Sequence, residues 1–395
     1  NVWQSNGQYS MYDTSKLMFN PADLTGWIGV FDARNGTTDL WDVTSTNASE
    51  WAQRSAVGAA FNLSETYDYY FEQHGRNSLD GRGGNMQAVV RYDVNYRNAF
   101  WNGELMVFGD GVPFASTLDV VAHELTHGVT DHESDLIYRN QSGALNEAMS
   151  DIFGELVEAR TYGSNDWLMA AELADYGMGP MRSLSNPNSI STSFGPYPAK
   201  MSQYVHTTQD NGGVHINSSI INHAFYLLAE GLDGAIGLNA AAQIFYRTNT
   251  VYLTSNSQFI DARHLAIRSA EDLYGSGSPQ ARRTAEAFDA VEIGTTVEGT
   301  DDDFEENDER QDAATIQGGA LDLQGRDDDW FRFRVGGPSE VEVSISGPEG
   351  DLDLFILDVN GNVLGRSTSG DSTERLLGQE RQAVERLIRV LPYGG

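Results

Sequence analysis

The sequence of 395 residues predicts an α+β protein in which a two-lobed first part is followed by a small β-sandwich. Alternating apolar and polar residues at 86–92 and 103–108 predict strands, and therefore a β-rich N-terminal lobe. From residue 116 onward the apolar residues recur at helical spacing, which predicts a helical second lobe. Alternation returns near the C-terminal end and predicts the sandwich, in segments 330–335, 341–345 and 352–357.

These changes of pattern divide the chain into domains. We predict the β-rich half at 1–115 and the helical half at 116–297, with one central helix between them. A stretch rich in glycine, threonine and acidic residues predicts a linker at 298–303, and the sandwich would occupy 304–395.

Helical periodicity places the remaining elements in order. One helix interrupts the β-rich half, and five follow in the second lobe: 50–73, then 116–131, 144–161, 218–230, 237–252 and 257–274. Ser116 or Thr117 is expected to cap the first helix of the second lobe. A span rich in glycine and proline, 177–198, predicts a long irregular loop, and long loops inside compact domains are often functional.

The helix at 116–131 carries the strongest chemical signal. His123 and His127 are four residues apart, so they lie on one face with Glu124 beside them. Two imidazoles in this arrangement can bind one metal ion, and we predict zinc. The opposite face is apolar and consists of Leu118, Val121, Ala122, Leu125 and Val129.

A second segment strengthens this prediction, because a His-Glu-x-x-His pattern alone also occurs by chance on ordinary surface helices. Glu147 and Asp151 are four residues apart on the predicted helix 144–161. Glu147 can therefore complete a three-ligand zinc site, while Asp151 orients one of the histidines. Three protein ligands leave one position open for water.

Four motifs in order along the chain resemble the thermolysin family of zinc endopeptidases, including its pseudolysin and vibriolysin members. They cover nearly all of residues 1–297 and are found at 98–103, 123–127, 143–151 and 210–215. Nineteen residues separate His127 from Glu147. This spacing resembles that of thermolysin-like enzymes, whereas many zinc aminopeptidases with the same first motif have a shorter one.

The resemblance implies a role for each residue of the zinc motifs. His123, His127 and Glu147 would bind one catalytic zinc ion, and Glu124 would activate the water bound to it. The chemistry agrees, because zinc lowers the pKa of its water and a nearby carboxylate can accept the proton.

The resemblance also implies an oxyanion-binding group. His215 and Tyr138 would donate hydrogen bonds to the oxygen that becomes negative when water attacks the peptide carbonyl. Asp210 would orient His215 and keep it protonated, since a neighbouring carboxylate stabilises imidazolium. The alternative for residues 210–213 is a plain Asp-Asn-Gly turn.

Substrate contacts are implied in the same way. Asn98 and the backbone of Ala99 would hold the substrate's main chain along the edge of the β half, like an added strand. Arg182 would bind a substrate carbonyl, although a surface salt bridge is its alternative. An apolar pocket for a bulky residue just after the scissile bond would be lined by Phe114, Val120 and Met181.

At least one structural calcium ion is also expected. The oxygen donors that resemble the single-calcium site of pseudolysin-like members are Asp119, Glu155, Glu158, Asp166 and the carbonyl of Leu168. The side chains of Glu155 and Glu158 can converge because they are three residues apart on a helix. The alternative is the solvated face of an acidic protein.

The composition is strongly acidic, with 57 acidic and 25 basic residues and a formal net charge of −32. Nucleic acid is therefore excluded as a partner. An acidic surface with only two lysines suggests a high-salt habitat, and an ordinary acidic secreted protein is the alternative.

A secreted location is predicted from further features. The chain begins at Asn1 without methionine, so we expect that a preceding segment of a zymogen has been removed. No apolar run is long enough to span a membrane, and no membrane partner is expected. The absence of cysteine excludes disulfides, and calcium would take over their stabilising role.

The tail resembles the bacterial pre-peptidase C-terminal domain through segments 303–308, 328–333 and 388–395. That family normally has one more strand after the Pro-Tyr-Gly segment, so we expect a truncated sandwich. Binding of insoluble protein is one role that the resemblance implies, and assistance in secretion or removal by cleavage are the others.

The function predicted from these features is that of a secreted, monomeric, zinc-dependent neutral endopeptidase acting on proteins or peptides. Two alternatives remain open at this point. A zinc aminopeptidase would require a free substrate amine, and a scaffold protein would keep zinc for stability alone. Intact Glu124, Tyr138 and His215 argue against the scaffold.

Overall fold

The computed structural model describes residues 2–294, 310, 313–315, 329–346, 351–368 and 373–393. The chain forms two compact units, Asn1–Ile293 and Gly294–Gly395. The predicted linker at 298–303 lies outside the described residues. In the described parts of the chain, no helix is both long and apolar enough to cross a lipid bilayer.

The N-terminal lobe of the first unit is built around a mixed sheet. Strands of this unit are β1 (Trp3–Ser5), β2 (Gln8–Ser10), β3 (Tyr12–Asp13), β4 (Ile28–Asp32), β5 (Trp41–Asp42), β6 (Thr44–Ser45), β7 (Met86–Tyr92), β8 (Ala99–Trp101), β9 (Met106–Gly109), β10 (Leu168–Met169), β11 (Arg182–Ser183), β12 (Ser191–Thr192) and β13 (Gly195–Pro196). The main sheet has the order β3-β4-β7-β9-β8, and β5 also pairs with β4. Strand β8 therefore lies at a sheet edge, antiparallel to β9.

The helices of the first unit follow the predicted order, with one addition. They are α1 (Arg54–His74), α2 (Leu118–His132), α3 (Asn140–Tyr162), α4 (Asp210–Tyr226), α5 (Leu238–Arg247), α6 (Phe259–Tyr274) and α7 (Pro279–Ala290). Two of them, α4 and α5, continue into short π-helical segments, Leu227–Gly231 and Thr248–Tyr252. The added helix is α7, where Ser278 caps the first turn and Pro279 occupies its first position.

The predicted start of α4 was wrong, whereas the predicted N-cap of α2 was right in position. The span of α4 starts at Asp210, before the predicted start at 218, but residues 211–213 are a left-handed turn that precedes the regular helix. Thr117 does occupy the N-cap position of α2, but its side chain makes no capping hydrogen bond. Its hydroxyl donates instead to the carbonyl of Pro113, 3.3 Å away.

A continuous apolar core runs from the sheet lobe into the helical lobe, with α2 inside it. Every residue of α2 from Leu118 to Thr130 is buried, including the apolar face predicted from the sequence. Val121, Ala122 and Leu125 are at most 1% exposed. The helix that carries the histidines is therefore held on several sides by packing, which fixes the histidine positions.

The second unit consists of two facing sheets. Its strands are β14 (Ala314–Thr315), β15 (Asp329–Val335), β16 (Ser339–Ser346), β17 (Asp351–Leu357), β18 (Val363–Ser367), β19 (Thr373–Glu380) and β20 (Val384–Tyr393). One sheet has the order β14-β15-β20-β17-β18, and the other pairs β16 with β19. Val343 and Leu376 of the small sheet pack on Phe331 and Leu354 of the large one. The predicted α+β class with a small C-terminal sandwich is confirmed.

Candidate active site

The two histidines of α2 and one carboxylate of α3 converge at a buried point. Nε2 of His123 lies 3.0 Å from Nε2 of His127. Each of these nitrogens is 3.5 Å from an oxygen of Glu147. Ligands at the bond lengths of about 2.0–2.1 Å that are typical of tetrahedral zinc lie roughly 3.3 Å from one another. The three side chains therefore have the spacing that one zinc ion requires.

Glu147 provides an independent test of this fit. The side chain is fully buried, and its Oε2 has no hydrogen-bond partner among the described residues. A buried carboxylate oxygen without a donor is costly unless a cation neutralises it. Burial alone would raise the pKa of Glu147, but the surrounding charges of His215, His127 and His123 lower it to about 2. The carboxyl group is thus ionised, as a zinc ligand must be.

Each histidine is oriented by a hydrogen bond to its other ring nitrogen. Nδ1 of His123 lies 2.8 Å from Oδ1 of Asp151, and Nδ1 of His127 lies 2.7 Å from Oδ1 of Asn146. Both partners direct Nε2 toward the metal position. The sequence assigned this role to Asp151 but did not identify Asn146, although it lies inside the motif at 143–151.

Asp151 is itself held by two further residues. Arg182 donates from Nε and Nη2 to its two oxygens, at 2.6 and 2.7 Å, and Asn222 donates from Nδ2 at 2.7 Å. Burial would raise the pKa of Asp151, but the charge of Arg182 and the hydrogen bond from His123 lower it. No sequence pattern pointed to Asn222, because its contact depends on how α4 packs beside α3.

Glu124 lies beside the three ligands and is buried, with 6% exposure. Burial raises its pKa to about 7, although the charge of His123 acts in the opposite direction. The backbone of Trp101 also acts to lower the pKa of Glu124. A carboxyl group that gains and loses a proton near neutral pH is suited to acid–base chemistry.

His215 and Tyr138 approach Glu147 from the other side of the cleft. Nε2 of His215 is 3.2 Å from the Tyr138 hydroxyl and 3.3 Å from Oε1 of Glu147. The Tyr138 hydroxyl also donates to Oε1 of Glu147. The side chain of His215 is 46% exposed, so its outer edge faces the open cleft.

Asp210 fixes the position and the charge of His215. Its two oxygens accept hydrogen bonds from Nδ1 of His215 at 2.6 Å and from the backbone N–H of His215 at 2.9 Å. Burial would lower the pKa of His215, but Glu147 and Asp210 raise it to about 9. The turn between them needs left-handed backbone at Asn211, Gly212 and Gly213, with φ of 52°, 91° and 79°.

A cleft adjoins the zinc-binding residues. Its lining consists of Asn98, Ala99, Phe114, Val120, His123, Glu124, Met169, Ala170, Met181, Arg182 and His215. The predicted substrate-binding residues and the predicted pocket residues therefore lie together. Asn98 is exposed immediately before the edge strand β8. Arg182 lines the cleft but is 5% exposed, because its guanidinium is bound to Asp151.

Comparison with known families agrees with this geometry. The catalytic domain of thermolysin metallopeptidases matches residues 1–131, and their α-helical domain matches residues 134–293. The chain belongs to the thermolysin family.

Several thermolysin-family proteins are similar to this chain. Bacillolysin from Brevibacillus brevis is 42% identical over 305 residues, which are 73% of this chain and 56% of that protein. Thermolysin from Alicyclobacillus acidocaldarius is 41% identical over 290 residues, or 69% of this chain and 52% of that protein. This chain thus spans about half the length of these curated relatives.

A solved metalloproteinase structure has a similar fold. The precursor of protealysin, a metalloproteinase from Serratia proteamaculans, aligns with a TM-score of 0.60 at 36% identity. The alignment covers 67% of this chain and 87% of that chain. Neither family match extends beyond residue 293, so the resemblance of the tail to a pre-peptidase C-terminal domain stays a prediction.

A second acidic cluster lies at the far end of the zinc-bearing helix α3. Carboxylate oxygens of Glu155, Glu158 and Asp166 lie within 4.8 Å of one another. Both oxygens of Glu155 are buried and have no hydrogen-bond partner in the described part of the chain. Burial and the charge of Asp119 raise the pKa of Glu155, and the same two causes raise that of Glu158 to about 8. A cation would relieve this repulsion.

Asp119 and Leu168, the other predicted calcium donors, also form hydrogen bonds within the protein. The oxygens of Asp119 accept from the backbone N–H groups of Val120, at 2.6 Å, and Ala170. The backbone N–H of Leu168 donates to Asp166 at 2.9 Å. Asp119 therefore joins the start of α2 to the hairpin β10–β11, while its charge still acts on the acidic cluster.

Proposed function

We propose that this chain is a secreted, monomeric, zinc-dependent neutral endopeptidase that cleaves internal peptide bonds of proteins. The observation that carries the proposal is the convergence of three zinc-type ligands, Glu124 and His215 on one cleft. His123, His127 and Glu147 would hold the ion. When bound, zinc supplies Lewis acidity and lowers the pKa of a water molecule.

The chain's own residues perform the remaining steps. Asn98 and the backbone of Ala99 position the substrate as an extra strand along the sheet edge. Glu124 accepts a proton from the attacking water and delivers it to the leaving amine nitrogen. His215, kept protonated by Asp210, and the Tyr138 hydroxyl donate hydrogen bonds to the oxyanion.

The preference for a bulky apolar residue after the scissile bond is part of the proposal. Phe114, Val120 and Met181 supply the apolar side of the cleft. Arg182 lies next to Met181, with its guanidinium held by Asp151, and offers a fixed positive charge beside the substrate carbonyl.

Structural calcium at Glu155, Glu158 and Asp166, near Asp119 and the Leu168 carbonyl, also belongs to the proposal. The support is the convergence of three carboxylates together with the unpartnered buried oxygens of Glu155. Residues 304–395 would form a separate domain that binds insoluble protein, and 298–303 would link it to the two peptidase lobes at 1–115 and 116–297.

Replacement of the proton carrier tests the mechanism. Glu124→Gln should lower casein hydrolysis by roughly 10²- to 10⁴-fold, the usual contribution of a general base, with zinc content and fold unchanged. Exposed Glu104→Gln is the matched control and should keep full activity. Full activity in the Glu124 variant would rule out this mechanism.

A blocked substrate tests the reaction type. An endopeptidase should cleave a peptide whose amino and carboxyl ends are both blocked, and mass spectrometry would locate the cut. An aminopeptidase would leave the blocked peptide intact and digest only the peptide with a free amine.

A further inference from the structure

Methionine forms part of the apolar side of the cleft. Met169 and Met181 both line it, together with Arg182, whose guanidinium is held by Asp151. The two methionines are held side by side, because the backbone N–H of Met181 donates to the carbonyl of Met169 at 2.8 Å. Met169 also pairs with Arg182 across the hairpin β10–β11. Both methionines therefore belong to one hydrogen-bonded backbone segment beside the cleft.

The methionines of the chain differ in their access to solvent. Six of the nine are buried: Met11, Met18, Met86, Met106, Met149 and Met169. Met178, Met181 and Met201 are partly exposed. Of these three, Met181 lines the cleft, whereas Met178 and Met201 do not. A dissolved oxidant can thus reach Met181 through the opening that a substrate uses.

We propose that Met181 is an oxidant-sensitive modification site that controls which side chains the cleft accepts. The inference rests on the proposed peptidase function, because its effect is on substrate choice. A hydroperoxide, such as hydrogen peroxide, is the oxidant. Its O–O bond breaks, one oxygen forms a bond to the Met181 sulfur, and the other leaves as water with both protons. The thioether is oxidised by two electrons to the sulfoxide, and the peroxide is reduced.

The sulfoxide changes the chemistry of the cleft wall. Its oxygen is a strong hydrogen-bond acceptor, and water satisfies it while the cleft is empty. Arg182, the next residue in the chain, already donates from Nε and Nη2 to Asp151. A bulky apolar residue entering the cleft would strip the water and leave the oxygen without a donor. Loss of such a hydrogen bond lowers kcat/KM for bulky apolar residues by roughly tenfold or more.

Oxidation should lower kcat/KM less for substrates with a small residue at this position, because water can remain bound to the sulfoxide oxygen beside a small side chain. The modification would therefore shift selectivity rather than abolish chemistry, since Met181 lies outside the zinc-binding residues. Methionine sulfoxide reductases reverse the reaction, so the original selectivity should return after treatment with both epimer-specific enzymes.

The experiment treats the zinc-loaded full-length protein with graded hydrogen peroxide. Site occupancy is measured by peptide mass spectrometry. The kcat/KM is measured for two blocked peptides that differ only in leucine or alanine after the scissile bond. Met181→Leu, Met178→Leu and Met201→Leu are treated in parallel, and each is compared with its own untreated sample.

The expected result has three parts. As the fraction of oxidised Met181 increases, kcat/KM should fall tenfold or more for the leucine peptide. For the alanine peptide, kcat/KM should fall less. Met181→Leu should resist this change, while Met178→Leu and Met201→Leu should respond like the wild type. Treatment of the oxidised wild type with the reductases should restore the ratio of kcat/KM between the two peptides to its value before oxidation.

Two results would overturn the inference in a protein that is active before treatment. One is equal sensitivity of Met181→Leu and the wild type. The other is complete conversion of Met181 to the sulfoxide with no change in the ratio of kcat/KM between the leucine and alanine peptides. Failure of the untreated protein to cleave either peptide would instead refute the proposed function.

Discussion

His74, a partly buried histidine outside the cleft, illustrates how desolvation sets the chemistry of a residue. His74 lies in the last turn of α1, and its ring stacks on Tyr246 with centroids 4.0 Å apart. Its Nδ1 is buried without a hydrogen-bond partner among the described residues. Burial, with a further contribution from the charge of Arg76, lowers the pKa of His74 from 6.5 to about 4. The folded protein therefore keeps this imidazole neutral in mildly acidic solution.

This shift predicts a loss of stability in acid. Between pH 6.5 and about 4 the unfolded chain binds the His74 proton and the folded chain does not, so stability falls as pH decreases through this window. The contribution is at most about 3 kcal/mol. His74→Phe keeps the stacking and should flatten the dependence of the urea-unfolding free energy on pH. Exposed His206→Gln is the control, and an equal flattening there would refute the assignment.

Residue patterns in the sequence identified the zinc-type ligands. They did not identify the residues whose hydrogen bonds depend on how the helices pack. His123, His127 and Glu147 were recognisable because helical spacing alone brings two of them to one face. Asn146 and Asn222 were not, since an amide carries no charge pattern and its partner depends on the crossing of two helices. Their hydrogen bonds to His127 and Asp151 appear only in the folded structure.

Among the helices, the close crossing of α2 and α3 determines the zinc-site geometry. A Cβ at Gly154 of α3 would lie 2.8 Å from the backbone oxygen of Asp119 in α2. Ala normally stabilises a helix relative to Gly, but forced overpacking typically costs about 1–3 kcal/mol. The glycine lets the helices approach, which brings Glu147 to the histidines.

Gly154→Ala should consequently destabilise the protein by about 1–2 kcal/mol and weaken zinc binding, because separating the helices moves Glu147 away from His123. Urea unfolding and titration with a zinc-buffered dye measure the two effects. Gly179→Ala is the control, since nothing lies within 4 Å of that Cβ. Unchanged zinc affinity in the Gly154 variant would contradict this role of the crossing.

The acidic cluster at the end of α3 leads to a prediction for calcium. Removing calcium at a buffered zinc concentration should lower the thermal midpoint by roughly 5 °C relative to calcium at 100 times its Kd, and should promote autolysis. Glu158→Gln should remove most of this response, whereas Glu172→Gln, an exposed neighbour outside the cluster, should keep it. A midpoint that is insensitive to calcium in the wild type would remove the assignment.

The residue at which a helix begins was harder to predict from the sequence than the presence of the helix. The helical character of α2, α3, α5 and α6 followed from periodicity. Helix α4 begins inside the Asp-Asn-Gly-Gly segment, whose left-handed residues indicate a turn when only the sequence is considered. The folded chain keeps this left-handed turn ahead of the regular helix, and the turn places Asp210 against His215.

For the whole molecule, the dominant property is charge. A net charge of −32 makes the unfolded and folded chains repel themselves, and compaction increases the repulsion. The salt bridges that the structure describes, such as Lys16 with Asp68 and Arg160 with Glu65, offset little of it because they are partly exposed. Screening by salt should therefore favour the folded state.

Stability and activity should therefore increase with sodium chloride between roughly 0.05 and 1 M, as the Debye length falls to about 3 Å. A variant with four exposed acids that form no salt bridge within the described parts of the chain, Asp39, Glu50, Glu104 and Asp233, changed to amides should show a smaller salt response. Sucrose of equal osmolality does not screen charge. It should therefore not produce a larger stabilisation of the wild type than of the four-amide variant. Maximal stability and activity in dilute buffer would show that repulsion is not limiting, and the acidic surface would then reflect solubility alone.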